Sequence, residues 1–86
     1  MKTLEEIIEK ENKTRTENGD FGIKACKESI LNEIERHKQW NEQENTNKYN
    51  TSLYVLLEEY VKRANEDIFF NKAMVLACWE LINGIE

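Results

Sequence analysis

Apolar residues recur along most of this chain at intervals of three or four, which is the spacing of one face of an α-helix. The first stripe is short and consists of Leu4, Ile7 and Ile8. Thr3 and Glu6 have the spacing of a capping box at its start. Asn18-Gly19 supplies a stop signal at its end. The pattern predicts a first helix between these two signals.

A second stripe predicts a helix that Asp20 caps and that runs to about Trp40. Its members share one helical face and are Ile23, Cys26, Ile30, Ile34 and His37. The following segment, residues 41–50, has only Tyr49 to bury, and it predicts a mobile polar loop. A third helix is expected from a cap at Thr51 or Ser52 to about Ala64.

The last predicted helix, Ile68 to Ile82, is apolar nearly all the way round. A surface helix of a small domain normally has one apolar stripe and one charged face. On a helical wheel Leu76 and Trp79 fall in the polar sector although both are large and apolar. Two interpretations follow: this helix is the central element that the others wrap, or Leu76 and Trp79 contact another molecule.

These elements predict an all-α fold, a small irregular bundle of about four helices with a flexible polar loop near 41–50. The 86 residues are expected to form a single helical domain, 1–86. The chain has no proline and three glycines, so few helix breakers interrupt the periodic segments.

The formal net charge is -5, and residues 51–86 alone carry three basic and six acidic side chains. This balance argues against direct binding of nucleic acid, which requires a basic surface. It is compatible with a protein that occupies a basic cleft of a partner. No segment has the length and hydrophobicity of a signal peptide or a membrane span, so a cytoplasmic location is expected.

Residue patterns that carry chemistry are largely missing, and we predict a non-enzymatic protein with no catalytic residues, no metal and no cofactor. Glu33 and His37 are four residues apart, but the di-iron pattern needs Glu-x-x-His, and His37 is better explained as a half-buried structural residue. Cys26 and Cys78 lie on apolar faces and are expected to be reduced and buried.

One stretch near the C-terminus resembles part of a known family. It reads Glu59-Tyr60-Val61-Lys62-Arg63-Ala64-Asn65-Glu66-Asp67, then Phe70 and Lys72, then Cys78-Trp79-Glu80-Leu81-Ile82. This is similar to the PcfK-like proteins of conjugative plasmids and phages, over less than a third of the chain. Leu81 stands where that family usually has tyrosine, and the family's basic tail is missing. The resemblance implies a mobile-element origin, and some members of the family inhibit CRISPR effector nucleases.

The hypothesis that combines these features is a small acidic protein-binding module. It would be a phage or mobile-element antagonist, similar to an anti-CRISPR inhibitor, that occludes a surface of a host protein such as a nuclease with a basic cleft. If the protein is phage-encoded, the expected location is the cytoplasm of the host cell. The alternative is a homodimeric structural or regulatory helical protein. The predicted contact residues are Trp79, Leu76, Phe69, Glu58, Glu59, Glu66 and Asp67.

Overall fold

A computed structural model describes residues 1–85, and within them the chain forms four α-helices. Helix α1 spans Leu4–Asn18, α2 spans Ile23–Glu44, α3 spans Leu53–Glu66 and α4 spans Ala73–Ile82. The predicted all-α fold, a small bundle of about four helices, is confirmed.

Helix α4 lies at the centre of the bundle and packs against α1, α2 and α3. Its buried apolar side chains are small or medium in size, which lets three helices approach it closely: Ala73, Val75, Leu76, Ala77 and Cys78. The surrounding helices each contribute a stripe to this core, led by Ile7, Ile30 and Leu56. Of the two interpretations of the apolar last helix, the structure therefore shows the central one. No helix within the described residues is long and apolar enough to cross a membrane.

Local capping explains where the first and third helices begin. The Thr3 hydroxyl accepts a hydrogen bond from the Glu6 amide at 3.3 Å, as the capping box predicts. Ser52 caps α3 by accepting from the Val55 amide. Gly19 ends α1 with a φ of 98°, a backbone conformation that favours glycine.

The predicted cap of α2 is wrong. The residue before α2 is Gly22, and no side chain caps this helix. The Asp20 carbonyl instead accepts from the Ile23 amide at 3.0 Å, and Phe21 and Gly22 both have a positive φ, of 50° and 73°. Two successive left-handed residues closed by such a bond are typical of a type I′ turn. Because Phe21 and Gly22 have a left-handed backbone, the helix cannot start directly after Asp20, and α2 begins at Ile23.

Helix α2 also continues past the predicted end at Trp40 to Glu44, which shortens the polar connection to residues 45–52. Two hydrogen bonds from the side-chain amide of Asn41 hold this connection: its Nδ2 donates to the Tyr49 carbonyl, and its Oδ1 accepts from the Tyr49 amide. Trp40 contacts the Tyr49 ring edge-on, with centroids 5.2 Å apart. The connection thus folds back on the last turns of α2.

The predicted start of the last helix at Ile68 is wrong, because two side chains compete with the helix for backbone amides. Asp67 accepts from the Phe69 amide at 2.9 Å, and Asn71 accepts from the Ala73 amide at 3.0 Å. Such two-residue side-chain bonds build turns in place of helix. Residues 67–72 are therefore a structured connection, and α4 begins at Ala73.

The predicted exposure of Leu76 is also wrong, since Leu76 is fully buried. On a helical wheel Leu76 lies opposite Met74 and Leu81. If α4 packed on the Met74 and Leu81 face only, Leu76 would face solvent. Helix α4 packs against three helices, and each of its residues is buried or partly buried, so it has almost no solvent-facing sector. Leu76 is consequently removed from the predicted contact residues.

We predict that Leu76→Ala lowers the free energy of unfolding by about 2–5 kcal/mol, because it leaves a cavity at the centre of a packed core. The control is Leu31→Ala on α2, where the leucine is 49% exposed; it should cost less than about 1 kcal/mol. Urea denaturation followed by circular dichroism measures both values. Similar losses for the two variants would contradict the central position of Leu76.

Candidate functional site

The structure divides the remaining predicted contact residues into an exposed group and one partly buried residue. The exposed group consists of Phe69, Glu58, Glu59, Glu66 and Asp67. Trp79 is partly buried and packs against the core. The exposed group therefore clusters in sequence around the end of α3 and the connection to α4, while Trp79 contributes to packing as well as to the surface.

The most exposed large apolar side chains in the interior of the chain are Ile68 and Phe69, at 88% and 89% exposure. Together with Asp67 we call them the 67–69 tip. Its backbone is held by the Asp67–Phe69 side-chain bond and by the Phe70 amide, which donates to the Asp67 carbonyl at 3.1 Å. The exposure therefore belongs to a structured turn.

Phe70 anchors the tip from the inside. Its ring lies 5.8 Å from that of Tyr60, and the Arg63 guanidinium stacks over it at 4.5 Å from the centroid. With Phe70 directed to the core, the two preceding apolar side chains project into solvent. A pair of exposed large apolar residues on an ordered support is typical of a contact surface rather than of scattered surface hydrophobicity.

Acidic side chains flank the tip. Glu59 and Glu66 are seven residues apart on α3 and so lie on the same face, and Asp67 follows at the end of the helix. In residues 1–85 none of these three carboxylates has a basic group within ion-pair distance, since Arg63 stacks on Phe70. The tip thus combines apolar side chains with uncompensated negative charge.

A second site was missed by the sequence interpretation: Glu80, in the middle of α4, is 2% exposed. Arg15 of α1 donates from Nη1 to Oε2 at 2.5 Å. Lys27 of α2 places Nζ 2.8 Å from Oε1, an ion-pair contact whose angles fall outside hydrogen-bond geometry. The carboxylate therefore joins α1, α2 and α4. The signal in the sequence was a single charged residue inside an otherwise apolar helix.

Above this charge cluster, the turn between α1 and α2 forms an open groove of about 560 Å³. We call it the α1–α2 groove; its lining residues are Arg15, Gly19, Asp20, Ile23, Lys24 and Lys27. The Lys27 ammonium also donates to the Ile85 carbonyl at 2.9 Å. Of the three cations, Lys24 lies in no ion pair with the described residues. The groove is thus an apolar depression with a basic rim on an acidic protein.

Buried titratable groups other than Glu80 are kept in their neutral forms. Burial raises the pKa of the Cys78 thiol to about 11 and that of the Tyr60 hydroxyl to about 12. Burial, and secondarily the nearby Asp20 carboxylate, raises the pKa of Cys26. Both cysteines are free and buried, as predicted. Nucleophilic cysteines have a lowered pKa, so these thiols differ from them in direction.

His37 is partly buried, as predicted, and supports the connection after α2. Its Nδ1 lies 2.6 Å from the Asn50 carbonyl, and its Nε2 lies 3.8 Å from Glu33. The ring stacks on Trp40 with centroids 5.5 Å apart. Within residues 1–85 no group of three or more His, Cys, Asp or Glu side chains has the arrangement of a metal site. These contacts give His37 a structural role in the last turns of α2.

No protein-family model, curated protein or solved structure gave a significant match to this chain. The similarity to PcfK-like proteins therefore stays a prediction from the sequence.

We predict that Arg15→Ala lowers the free energy of unfolding by about 1–3 kcal/mol. The variant leaves the buried Glu80 carboxylate with Lys27 as its remaining cation. The loss should therefore be smaller than the roughly 3–5 kcal/mol that follows when a buried charge loses its single partner. Lys24→Ala in the same groove is the matched control and should change stability by less than about 0.5 kcal/mol. In a Glu80→Gln background the Arg15→Ala loss should shrink markedly. Equal losses in both backgrounds would show that Arg15 does not act through Glu80.

We predict that Tyr60→Phe keeps or raises stability by about 1 kcal/mol, because the buried Tyr60 hydroxyl has no hydrogen-bond partner in residues 1–85. The native pKa of Tyr60, about 12, exceeds its ordinary value of 10.0. This raised pKa contributes to the free energy of unfolding. The contribution is fully present below pH 10 and is lost as the pH rises towards 12, by at most about 1.4 kcal/mol per pH unit.

Urea denaturation between pH 9 and pH 12 tests this dependence. Tyr60→Phe should flatten the alkaline decline above pH 10, and Tyr54→Phe, at a residue that is 68% exposed, should leave the decline unchanged. The raised pKa of the buried Cys78 also lowers the free energy of unfolding between about pH 9 and about pH 11, and it does so in both variants. Identical pH profiles for the two variants would contradict a native-state pKa of Tyr60 raised by burial.

Proposed function

We propose that this chain is a non-enzymatic protein-binding module that docks through the 67–69 tip. The observation that carries the proposal is the exposure of Ile68 and Phe69, at 88% and 89%, on a turn that two hydrogen bonds and the Phe70 anchor hold in place. A prearranged apolar pair loses little conformational entropy on binding, so more of its burial free energy remains for affinity.

The chemistry around the tip indicates the chemistry of the partner. Glu59, Glu66 and Asp67 lack basic partners within ion-pair distance in residues 1–85, so a partner with basic side chains would compensate them. The partner that fits is a protein with an apolar pocket bordered by lysine or arginine. Electrostatic complementarity of this kind speeds association and sets specificity.

The biological consequence that we propose is occlusion: the module covers a functional surface of a host protein, as antagonists from phages and mobile elements do. A nuclease is a suitable target, because its nucleic-acid cleft is basic. The sequence similarity to PcfK-like proteins supports this proposal, since some of those proteins inhibit CRISPR effector nucleases. Trp79 remains a candidate peripheral contact, because part of its surface is accessible.

The experiment is comparative affinity capture from a bacterial lysate with the purified chain at micromolar concentration. Phe69→Ala should reduce retention of the partner about 30-fold or more, as the loss of a central aromatic contact does. Tyr54→Ala removes another exposed aromatic residue from α3 and is the matched control; it should retain the partner like the unmodified chain. A partner retained equally by both variants, or no protein retained above the bead background, would contradict the proposal.

Occlusion is tested on the captured protein by its own activity. If that protein cleaves nucleic acid, the unmodified chain should inhibit cleavage, and the reversal variant Asp67→Lys should inhibit it less. Glu35→Lys reverses an exposed acid in the middle of α2, outside both the tip and the α1–α2 groove, and should inhibit normally. Equal inhibition by the two variants would contradict the role of the tip.

A further inference from the structure

The basic, apolar α1–α2 groove has the chemistry that the acidic, apolar 67–69 tip requires of a partner. We infer that the tip of one copy of this chain docks in the α1–α2 groove of a second copy. The inference rests on the proposed docking role of the tip, and it adds a specific occupant for a surface that the proposed function does not use.

Charge complementarity is the first argument for a second copy. Arg15, Lys24 and Lys27 border the groove, and within residues 1–85 the acids beside them are Asp20 at the rim and Glu80 beneath it, which leaves one positive charge over. Glu80 pairs with Arg15 and Lys27, whereas Lys24 makes no ion pair within the described part of the chain and can meet an incoming carboxylate. Asp67 supplies that carboxylate next to the two apolar side chains of the tip.

Shape and apolar lining are the second argument. The groove volume of about 560 Å³ lies within the range of about 300–1,000 Å³ of pockets that enclose small ligands, which is room for the Ile68 and Phe69 side chains. Ile23 contributes apolar lining. The tip of the same chain does not fill its own groove, because Ile68 and Phe69 are almost fully exposed.

The turn beside the groove gives the third argument. Phe21 has a φ of 50° and is 49% exposed, between the groove-lining residues Asp20 and Ile23. A bulky residue with a left-handed backbone is strained, and such strain concentrates at functional positions. Asparagine or glycine would relieve the strain, whereas phenylalanine adds an exposed aromatic side chain to the turn that precedes the groove-lining start of α2.

Docking of a tip into a groove joins two different surfaces, and this predicts a distinctive mixing behaviour. A copy that lacks a working tip still has a groove, and a copy that lacks a working groove still has a tip. Each should fail to associate with itself, while the two together should form a pair. A contact between two tips would behave differently, because a copy without a working tip could not bind either variant.

The experiment is amide NMR of the ¹⁵N-labelled full chain, since a small contact of this kind should associate only at about 0.1–1 mM. Dilution from about 1 mM to about 20 µM should shift the amides of residues 67–69 and those of residues 19–27 together. Phe69→Ala and Lys24→Glu alter exposed side chains, and each alone should lose at least about tenfold in self-affinity, equivalent to about 1.4 kcal/mol. Tyr54→Ala should keep the dilution shifts.

Mixing the two variants then distinguishes docking of the tip in the groove from a contact between two tips. Labelled Phe69→Ala with unlabelled Lys24→Glu should show shifts at the groove amides, and labelled Lys24→Glu with unlabelled Phe69→Ala should show them at the tip. Absence of dilution shifts, shifts confined to the tip, or no response on mixing would overturn the inference. The proposed function would stand if capture still depended on Phe69 in that case, so the two failures are distinguishable.

Discussion

The buried carboxylate of Glu80 and its two cations determine how three helices meet in this protein. An ionised carboxylate at 2% exposure is tolerated only where its charge is matched, and Arg15 and Lys27 supply that match from two different helices. Helix α1 depends on it most, because Ile7 is its single fully buried apolar residue and lies near its start. Arg15 attaches the other end of α1 to α4. Apolar burial supplies most of the free energy, and the ion pairs fix the arrangement.

Because α4 is covered on three sides, its apolar surplus is used inside the protein. Small residues such as Ala73 and Ala77 let neighbouring helices approach closely, and Leu76 fills the centre. The most exposed large apolar side chains in the interior of the chain lie just after α3, at Ile68 and Phe69. The same turn directs Phe70 inward and its two predecessors outward. Folding and binding are thus served by consecutive residues of one short connection.

Local patterns in the sequence predicted much of this fold. The period of the apolar residues located all four helices, and Thr3, Ser52 and Gly19 marked helix ends through short-range hydrogen bonding and backbone preference. The errors at Ile68 and Asp20 have local causes as well. Side-chain hydrogen bonds of Asp67 and Asn71 form turns where the start of the last helix was predicted. The left-handed backbone of Phe21 and Gly22 forms a turn where the start of α2 was predicted.

The candidate site was less predictable, because it depends on contacts between distant parts of the chain. Whether Leu76 faces solvent depends on how three helices from earlier in the chain pack around α4. The partners of Glu80 lie 65 and 53 positions away, and no local spacing relates them. Phe69 and the acids at 58, 59, 66 and 67 were predicted as contact residues, and the structure shows all five side chains exposed. Their role in binding stays a prediction.

Native-state hydrogen exchange tests the central position of α4 most directly. If the other helices pack around it, the amides from Leu76 to Glu80 exchange only when the whole protein unfolds, and their protection equals the global free energy of unfolding. The first turn of α1 should exchange through smaller local openings. Amides of α4 that exchange faster than those in the middle of α2 or α3 would contradict the account.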